Sequence, residues 1–384
     1  MTKKTKKPPA VSAAPSAASP AASFAATAPS AATSTPAAVK PRHIAVVGAG
    51  IAGITCARTL VQAGHTVTVF EKSRGAGGRM STRHTEFGTF DHGTQYFTVR
   101  DARFALALST SPSVVRPWSA NAVRILDEAG RVVAAAKPQR EAHYVAAPGM
   151  NALVKHWAQP LMDAGCVRYE TQVSRIERDK LHPQQWQLQT EGPGETTHVY
   201  AGFDDVVLAV PSVQAQALLL SSQQAKPLIA AMAKVIVAPC WTLMLAFPQA
   251  QQATLASLGP QWNAARSTHH RIAWLARESS KPRRGAIERW TVNASPEWST
   301  RHLEDSAERV TAKLLRGFTE ITGIRATPSH TAVHRWRYAQ TVDPLGQDVA
   351  WDAQAPIGRC GDWCIGHRVE DGFVSGLEMA LALV

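Results

Sequence analysis

Three glycines and an acid near residue 50 have the spacing of a nucleotide-binding turn. Gly48, Gly50 and Gly53 form the pattern G-x-G-x-x-G directly after the apolar run 44–47, which predicts a buried parallel strand. The first glycine permits a tight turn, the second lets the backbone approach a pyrophosphate, and the third lets a helix lie close to the sheet. Glu71 follows at the distance expected of an acid that accepts hydrogen bonds from ribose hydroxyls. The pattern predicts dinucleotide binding.

The stretches around these residues predict the elements that position them. Residues 51–63 have helical spacing of apolar side chains, and Gly64 is a natural helix stop. Residues 66–70 alternate as a second strand that ends at Glu71. A helix between two parallel strands points its free N–H groups and positive dipole end at phosphates. The segment is therefore predicted to form a complete β-α-β unit.

A second motif follows Glu71 and distinguishes between dinucleotides. Residues 72–83 read KSRGAGGRMSTR, in which Arg74, Arg79 and the pair Gly77-Gly78 bring a guanidinium and more backbone toward the same pyrophosphate. The segment resembles the R-x-x-G-G-R-x-x-T signature of flavoproteins of the amine oxidase type. The resemblance implies FAD as the cofactor, because a simple NAD dehydrogenase is not expected to carry this signature.

The end of the chain carries a matching half of this site. Gly361-Asp362 and the stretch Arg368-Val369-Glu370 run into an amphipathic helix and resemble the C-terminal FAD signature of the same family. The resemblance implies that Asp362 holds the ribityl chain and that the helix directs its N–H groups at the flavin's pyrimidine end. We expect Asp371 to point to solvent. No segment resembles the cysteine-containing one that tethers flavin in monoamine oxidases, so noncovalent FAD is expected.

Residues 87–98, FGTFDHGTQYFT, resemble renalase and its bacterial relatives. The resemblance implies a strand beside the flavin ring, with Gln95 hydrogen-bonded to the ring edge and Tyr96 nearby. It also puts the strand of Trp274 over the flavin. His367 falls inside the C-terminal signature. No general base is identified, and the catalytic candidates are Gln95, Tyr96, Trp274 and His367.

The predicted cofactor contacts draw on both signatures and on two further segments. Residues 148–150, Pro-Gly-Met, open a helix that resembles the one by which this family's chain re-enters the FAD domain. Val173 matches the strand valine whose backbone meets adenine in the family. The expected cofactor-binding residues are Gly48, Gly50, Ala52, Gly53, Glu71, Lys72, Gly78, Arg79, Gln95, Val173, Gly361, Asp362, Arg368 and Val369.

Composition limits the remaining possibilities. The chain of 384 residues has a net charge of +12, but no block of basic residues interleaved with aromatics indicates nucleic acid as a partner. Residues 1–41 are rich in alanine, serine and proline, which predicts a disordered tail. No apolar run is long enough to span a membrane, and no signal peptide is recognised, so a cytoplasmic location is expected. The five cysteines are too scattered for a metal site and predict reduced thiols.

The fold class predicted is α/β and two-lobed. A Rossmann-type FAD-binding domain comprises residues 42–100, 145–211 and 331–384, and a substrate domain with an antiparallel sheet comprises 101–144 and 212–330. This is the arrangement of p-hydroxybenzoate hydroxylase and the amine oxidases. Within the substrate domain we expect strands near 241–247, 271–276 and 288–294, and a helix over about 303–321.

Three functions remain open at this point. The first is a renalase-like oxidase that takes a hydride from an isomeric dihydronicotinamide dinucleotide onto flavin N5 and is reoxidised by molecular oxygen to give H2O2; Arg277 or Arg337 would meet the substrate phosphates. The second is a flavin amine oxidase, for which the lysine that orders water at N5 would be Lys226, Lys234, Lys281 or Lys313. The third is a flavin-binding module without turnover. The first is favoured.

Overall fold

A computed structural model describes residues 40–118, 123–135, 141–251, 262–347, 350–352 and 355–384. The predicted disordered tail lies outside the described residues, apart from its last two. The strands are β1 (His43–Val47), β2 (Thr66–Phe70), β3 (Arg83–Thr85), β4 (Gly88–Phe90), β5 (Val115–Trp118), β6 (Val123–Leu126), β7 (Val132–Ala135), β8 (His143–Ala146), β9 (Val167–Arg168), β10 (Gln172–Arg178), β11 (Trp186–Glu191), β12 (Thr197–Phe203), β13 (Asp205–Leu208), β14 (Ile236–Phe247), β15 (Ala264–Ser267), β16 (Ile272–Arg277), β17 (Glu288–Ala294), β18 (His330–Asp343), β19 (Ala350–Asp352) and β20 (Ile357–Arg359). The helices are α1 (Ile51–Gln62), α2 (Ala102–Ser109), α3 (Asn151–Asp163), α4 (Ser212–Ser222), α5 (Lys226–Met232), α6 (Pro296–Arg301), α7 (Ala307–Thr322), α8 (Asp362–Ile365) and α9 (Val369–Leu381).

A six-stranded sheet of order β19-β20-β13-β1-β2-β9 forms the centre of the first lobe. Its pairings are parallel except between β19 and β20. Ile44 and Val46 are fully buried because helices cover both faces, which is why β1 reads as an unbroken apolar run. The predicted β-α-β unit is confirmed, with α1 ending one residue before the expected position.

Helices cover this sheet on two sides. α1, α3 and α9 pack on one face, where Ile54, Leu153 and Phe373 share a core with Ile44. α4 and α5 share the other core with the three-stranded sheet β10-β11-β12. α9 lies directly against α1 because Gly376 has no side chain; a Cβ there would overlap the carbonyl oxygen of Ala52.

A seven-stranded sheet of order β18-β14-β17-β16-β15-β6-β7 forms the second lobe. It is antiparallel except between β6 and β15. The strands expected near 241–247, 271–276 and 288–294 are β14, β16 and β17. β18 pairs with β14, so residues 331–343, which the sequence assigned to the FAD-binding domain, lie in this sheet.

The helix predicted over 303–321 is wrong in its start. The helix in this stretch is α7, which begins at Ala307; α6 ends at Arg301, before the predicted stretch, and residues 302–306 between the two are not helical. The Ser295 hydroxyl accepts a hydrogen bond from Trp298 N at 3.2 Å, and the Ser306 hydroxyl accepts one from Arg309 N at 3.3 Å. Each serine satisfies a free N–H group at the start of a helix, so α7 begins directly after its Ser306 cap, later than the sequence predicts.

These elements confirm the predicted α/β class, with a Rossmann-like sheet and an antiparallel sheet beside it. Among the helices in the described part of the chain, none has the length and apolar character needed to cross a membrane. All five cysteines are free thiols. Burial raises the pKa of the Cys364 thiol to about 12, which suits a structural thiol rather than a reactive one.

Candidate functional site

A cavity of about 910 Å³ opens where the central parallel strands end. Val47 and Phe70, the last residues of β1 and β2, line it, as do Ala209 and Gly361, which follow β13 and β20. Ligands of open α/β sheets bind at the carboxyl ends of the strands. The sheet therefore brings four separate chain segments to one binding site.

The turn after β1 has the shape of an anion cradle. Gly48 has a φ of +108°, and a Cβ there would lie 2.6 Å from the carbonyl oxygen of Ala209. A Cβ on Gly53 would overlap the Gly48 carbonyl oxygen, whereas one on Gly50 would meet nothing within 4 Å. No side chain caps the N-terminus of α1. Its first N–H groups are thus left for a negatively charged group such as a pyrophosphate.

Glu71 is held at the edge of this cradle. Its carboxylate accepts hydrogen bonds from Ala49 N and Ser73 N, both at 2.8 Å, and the residue is buried. Because each carboxylate oxygen has more than one acceptor site, it is still able to accept from a ribose hydroxyl. Lys72 and Val173 line the same end of the cavity.

The two sequence signatures meet inside the cavity. The Arg79 guanidinium binds the Asp362 carboxylate through two hydrogen bonds, one of them 2.9 Å from Nη1 to Oδ2. The Thr341 hydroxyl donates to the same carboxylate at 3.3 Å. The fold therefore joins residues that are 283 positions apart in the sequence.

Most residues predicted to bind the cofactor line the cavity. These are Gly48, Gly50, Ala52, Glu71, Lys72, Gly78, Arg79, Val173, Gly361, Asp362, Arg368 and Val369. Gly53 lies behind them, where it allows α1 to pack close to β1. Gln95 is buried outside the cavity wall, and its carbonyl oxygen accepts from Lys281 Nζ at 3.2 Å.

The catalytic candidates lie in different places relative to the cavity. His367 is exposed and lines the cavity. Tyr96 and Trp274 do not line it; the Tyr96 ring stacks on His143 with centroids 4.0 Å apart and lies 5.7 Å from Trp274. The structure thus groups Tyr96 and Trp274 with each other, away from the cavity wall that His367 joins.

The two arginines considered for substrate contacts are paired with acids, and of the two only Arg337 is among the described residues that line the cavity. Arg337 donates to Glu304 from two nitrogens, one at 2.8 Å, and Arg277 donates to Glu288 at 2.8 Å. Arg335 contacts Glu304 as well, so the guanidinium groups of 335 and 337 share one side of β18. The described residues that line the cavity include none of the four candidate lysines, Lys226, Lys234, Lys281 and Lys313.

Asp371 differs from its expected position. Its Oδ2 accepts hydrogen bonds from His367 N at 2.9 Å and Arg368 N at 2.8 Å, so it closes the turn before α9 instead of pointing to solvent. Burial raises the pKa of this carboxyl, while the two N–H groups favour its charged form. The sequence signal for this role is the acid placed three residues after the helix cap.

An aromatic wall on one side of the cavity was not predicted as a group. His92, His334 and Trp336 line the cavity, and we call them the aromatic wall. The His92 and Trp336 rings are stacked at 5.3 Å, and His334 meets them edge-on at 4.7 and 4.4 Å. Trp336 Nε1 donates to the His92 carbonyl oxygen at 2.9 Å. The spacing of 334 and 336 on one strand was the available signal, because alternate residues share a face.

Both imidazoles of the aromatic wall are uncharged at neutral pH. Burial, together with the neighbouring His334 and Arg83, lowers the pKa of His92 to about 3. Burial and Arg83 lower the pKa of His334 to about 4. The wall is therefore a neutral aromatic surface across the physiological pH range.

The low pKa of His92 predicts acid sensitivity of the fold. Below the ordinary value of 6.5 the unfolded chain binds a proton that the folded protein does not, so the free energy of unfolding falls as the pH drops toward 3. The slope is at most about 1.4 kcal/mol per pH unit for this one group. His92→Phe keeps an aromatic ring and is expected to lose less stability than the wild type between pH 6.5 and 5, measured by urea unfolding. Equal losses would contradict a depressed pKa at His92.

Comparisons with known proteins agree with this geometry. Residues 46–107 match the family model of an NAD(P)-binding Rossmann-like domain, and residues 124–383 match that of the flavin containing amine oxidoreductases. The chain is 48% identical over 58 residues to a 4,4'-diapophytoene desaturase of Staphylococcus haemolyticus, covering 15% of the chain and 12% of that relative. It is 52% identical over 42 residues to an L-amino-acid oxidase of Bothrops pauloensis, covering 11% and 8%. The chain thus matches only a small part of the length of these curated relatives.

Solved structures share the fold over nearly their whole length. A protein from Exiguobacterium sp. 255-15 named for protoporphyrinogen oxidase activity has a TM-score of 0.69 at 13% identity, with 90% of this chain and 99% of that chain covered. The cyclohexylamine oxidase from Brevibacterium oxydans IH-35A has a TM-score of 0.65 at 13% identity, with the same coverage of 90% and 99%. At this identity the likeness concerns the fold alone. From the match over 124–383, the chain belongs to the flavin-containing amine oxidoreductase family.

Proposed function

We propose that this protein is an FAD-dependent oxidase that holds its cofactor noncovalently in the cavity. The uncapped N-terminus of α1 would bind the pyrophosphate, Glu71 the ribose, and Asp362 with Arg79 the chain that leads to the ring. The N-terminal turn of α9 would stabilise negative charge on the reduced ring through its dipole. None of the five cysteines is among the cavity-lining residues of the described chain, which supports a noncovalent cofactor.

Denaturation of the purified yellow protein tests the cofactor. We expect acid treatment to release the flavin into the supernatant, where chromatography identifies it as FAD in a ratio near one per chain. Flavin that stays attached to the precipitated polypeptide would contradict noncovalent binding. Release of FMN would contradict the assignment of Glu71 and Val173 to an adenosine half.

We propose an isomeric dihydronicotinamide dinucleotide, one reduced at a ring position other than that of NADH, as the substrate. The observation that carries this proposal is the charge of the cavity wall. Among its described residues the carboxylates are Glu71 and Asp362, both already hydrogen-bonded, and the aromatic wall is neutral. The described part of the cavity wall thus offers no unpaired carboxylate to bind an ammonium group, whereas its neutral aromatic side chains are able to pack against a flat, uncharged ring.

The proposed reaction is a net transfer of a hydride from the substrate to molecular oxygen. The dihydronicotinamide loses a hydride and becomes a nicotinamide cation, while O2 takes up that hydride and one proton to give H2O2. FAD supplies the hydride acceptor and the route of the electrons to oxygen. The protein's own task is to stack the substrate ring in the cavity and to keep it oriented, because hydride transfer needs geometry rather than a general base.

An amine oxidase is the second candidate, and two observations favour it. The chain belongs to the amine oxidoreductase family, and a matched relative is named L-amino-acid oxidase. In addition, neutral aromatic rings attract cations through their faces, so the aromatic wall is also able to accept an ammonium.

An aerobic peroxide assay separates these functions. The enzyme is given 6-dihydro-NAD, ordinary NADH, cyclohexylamine, putrescine or L-amino acids in turn, and H2O2 is measured. We expect peroxide from the isomeric dinucleotide and a far lower rate with NADH and the amines. Peroxide from an amine alone would move the protein to the amine oxidases, and none from any compound would favour a flavin-binding module.

His367→Ala is expected to keep FAD and to change the rate of peroxide formation. His367 is exposed at the cavity and sits beside Arg368, before the turn of α9, with its backbone N–H held by Asp371. The substitution removes the ring without touching that hydrogen bond. The test is to measure steady-state kinetics and the ratio of FAD to protein in the same preparation. Loss of FAD with an unchanged rate per bound flavin would indicate a structural role for His367.

The division of the chain into an FAD-binding and a substrate domain is proposed on the same grounds, with the boundary of the last segment moved to follow β18. A cytoplasmic location remains a prediction.

A further inference from the structure

A group of four charged side chains is buried between the two lobes, outside the cavity. Asp91, Glu278, Lys281 and Arg284 are each at most 4% exposed. Their formal charges cancel, since two are acids and two are bases. Lys281 Nζ lies 3.0 Å from Asp91 Oδ2 and 3.0 Å from Glu278 Oε1, and Arg284 Nη2 lies 2.6 Å from Asp91 Oδ2. We call these four residues the buried charge cluster.

Lys281 has a contact that charge balance does not require. Its third hydrogen bond goes to the side-chain carbonyl oxygen of Gln95, at 3.2 Å. All three ammonium protons therefore have an acceptor, and the orientation of the Gln95 amide is fixed with its NH2 group on the other side. That NH2 group donates to the Gly93 carbonyl oxygen at 3.2 Å and to the Asp91 carbonyl oxygen.

The Gln95 amide thus holds the backbone of residues 91–95, and this segment forms part of the cavity. His92 and Thr94 line the cavity. Thr94 N donates to the Arg79 carbonyl oxygen at 2.8 Å, and a Cβ on Gly93 would overlap that same oxygen. A shift of the segment would therefore displace the aromatic wall and Arg79 together.

We propose that Lys281 is a positioning residue: by orienting the Gln95 amide it fixes segment 91–95, and through that segment the wall of the flavin and substrate cavity. Lys281 is not among the described residues that line the cavity. The proposal depends on the cavity being the cofactor site, but not on which substrate is oxidised.

The test separates positioning from charge balance. Lys281→Met leaves the cluster with one excess negative charge, whereas the double variant Lys281→Met/Glu278→Gln restores a net charge of zero without restoring the hydrogen bond to Gln95. The thermal midpoint reports the fold. The visible circular dichroism of bound FAD and its dissociation constant report the cavity, and both readouts are independent of any substrate.

We expect Lys281→Met to lower the thermal midpoint and the double variant to recover most of it. In the double variant the flavin dichroism should remain altered and FAD binding weakened by about tenfold, because a hydrogen bond from a charged donor is lost. Gln95→Met, which leaves all four charges in place, should reproduce the dichroism change. Lys313→Met removes a partly exposed lysine bound to Asp305 at 3.2 Å and should change neither readout of the flavin.

Recovery of both the midpoint and the flavin readouts in the double variant would overturn the proposal, since Lys281 would then only balance charge. A normal flavin spectrum and FAD affinity in Gln95→Met would overturn it as well, and this single variant decides if the double variant does not fold. If the flavin readouts respond as expected while no dihydronicotinamide is oxidised, the positioning role stands and the substrate assignment fails.

Discussion

Asp91→Ala is expected to lower the free energy of unfolding by about 3–5 kcal/mol, the cost of leaving a buried charge without its partner. Asp91 is fully buried and accepts from four donors: Thr82 Oγ1 at 2.8 Å, Met150 N at 2.9 Å, Lys281 Nζ at 3.0 Å and Arg284 Nη2 at 2.6 Å. Burial alone would raise the pKa of Asp91, but Lys281 and Arg284 hold it below its ordinary value. Its removal leaves two buried cations with Glu278 as the nearby acid.

Urea unfolding at neutral pH measures this effect, and Glu304→Ala is the matched control. Glu304 also pairs with two cations, Arg335 and Arg337, but its side chain is 67% exposed. Water replaces the lost contacts at such a site, so the midpoint of the control is expected to stay close to that of the wild type. An equal loss in the two variants would mean that burial does not decide the strength of the Asp91 contacts.

Gly50→Val is expected to fold like the wild type and to bind FAD about 10- to 100-fold more weakly. Gly50 has an ordinary extended backbone conformation, with φ of −75°, and a Cβ would meet nothing within 4 Å. The added methyl groups would occupy the cradle where the pyrophosphate is proposed to bind. Forcing extra methyl groups into a filled site costs about 1–3 kcal/mol, and each 1.4 kcal/mol is about tenfold in affinity.

Fluorescence titration of the apoprotein with FAD measures this change, with Gly75→Val as the control. Gly75 lies in the next loop, does not line the cavity, and would place its Cβ 3.8 Å from Lys155. We expect the control to retain both its unfolding midpoint and its FAD affinity. Wild-type affinity in Gly50→Val would show that the pyrophosphate does not use this turn.

Local patterns predicted the parts of the site that depend on neighbouring residues. The turn at Gly48, the helix that follows it and Glu71 all lie within one β-α-β unit, where spacing determines the geometry. The two signatures around Arg79 and Asp362 were recognised separately, and their direct contact follows from both lying at the carboxyl edge of the central sheet, Arg79 after β2 and Asp362 after β20.

Contacts between distant segments could not be predicted in this way. Gln95 was expected at the flavin edge, yet its amide is bound by Lys281, which is 186 residues away. Arg337 was expected to face substrate; it lines the cavity, but its guanidinium is paired with Glu304, from the segment between α6 and α7. Residues 303–306 of that segment had been predicted to be helical. Which partner a long polar side chain selects depends on packing between segments that are distant in the sequence, and no local pattern encodes it.

The most direct test of the proposed function is anaerobic mixing of the FAD-loaded enzyme with 6-dihydro-NAD, followed by stopped-flow absorbance. We predict rapid and complete bleaching of the visible flavin band, with recovery and an equal amount of H2O2 once air is admitted. NADH and amines at the same concentration should leave the band nearly unchanged. Bleaching by an amine but not by the isomeric dinucleotide, with FAD fully bound, would contradict the proposed substrate.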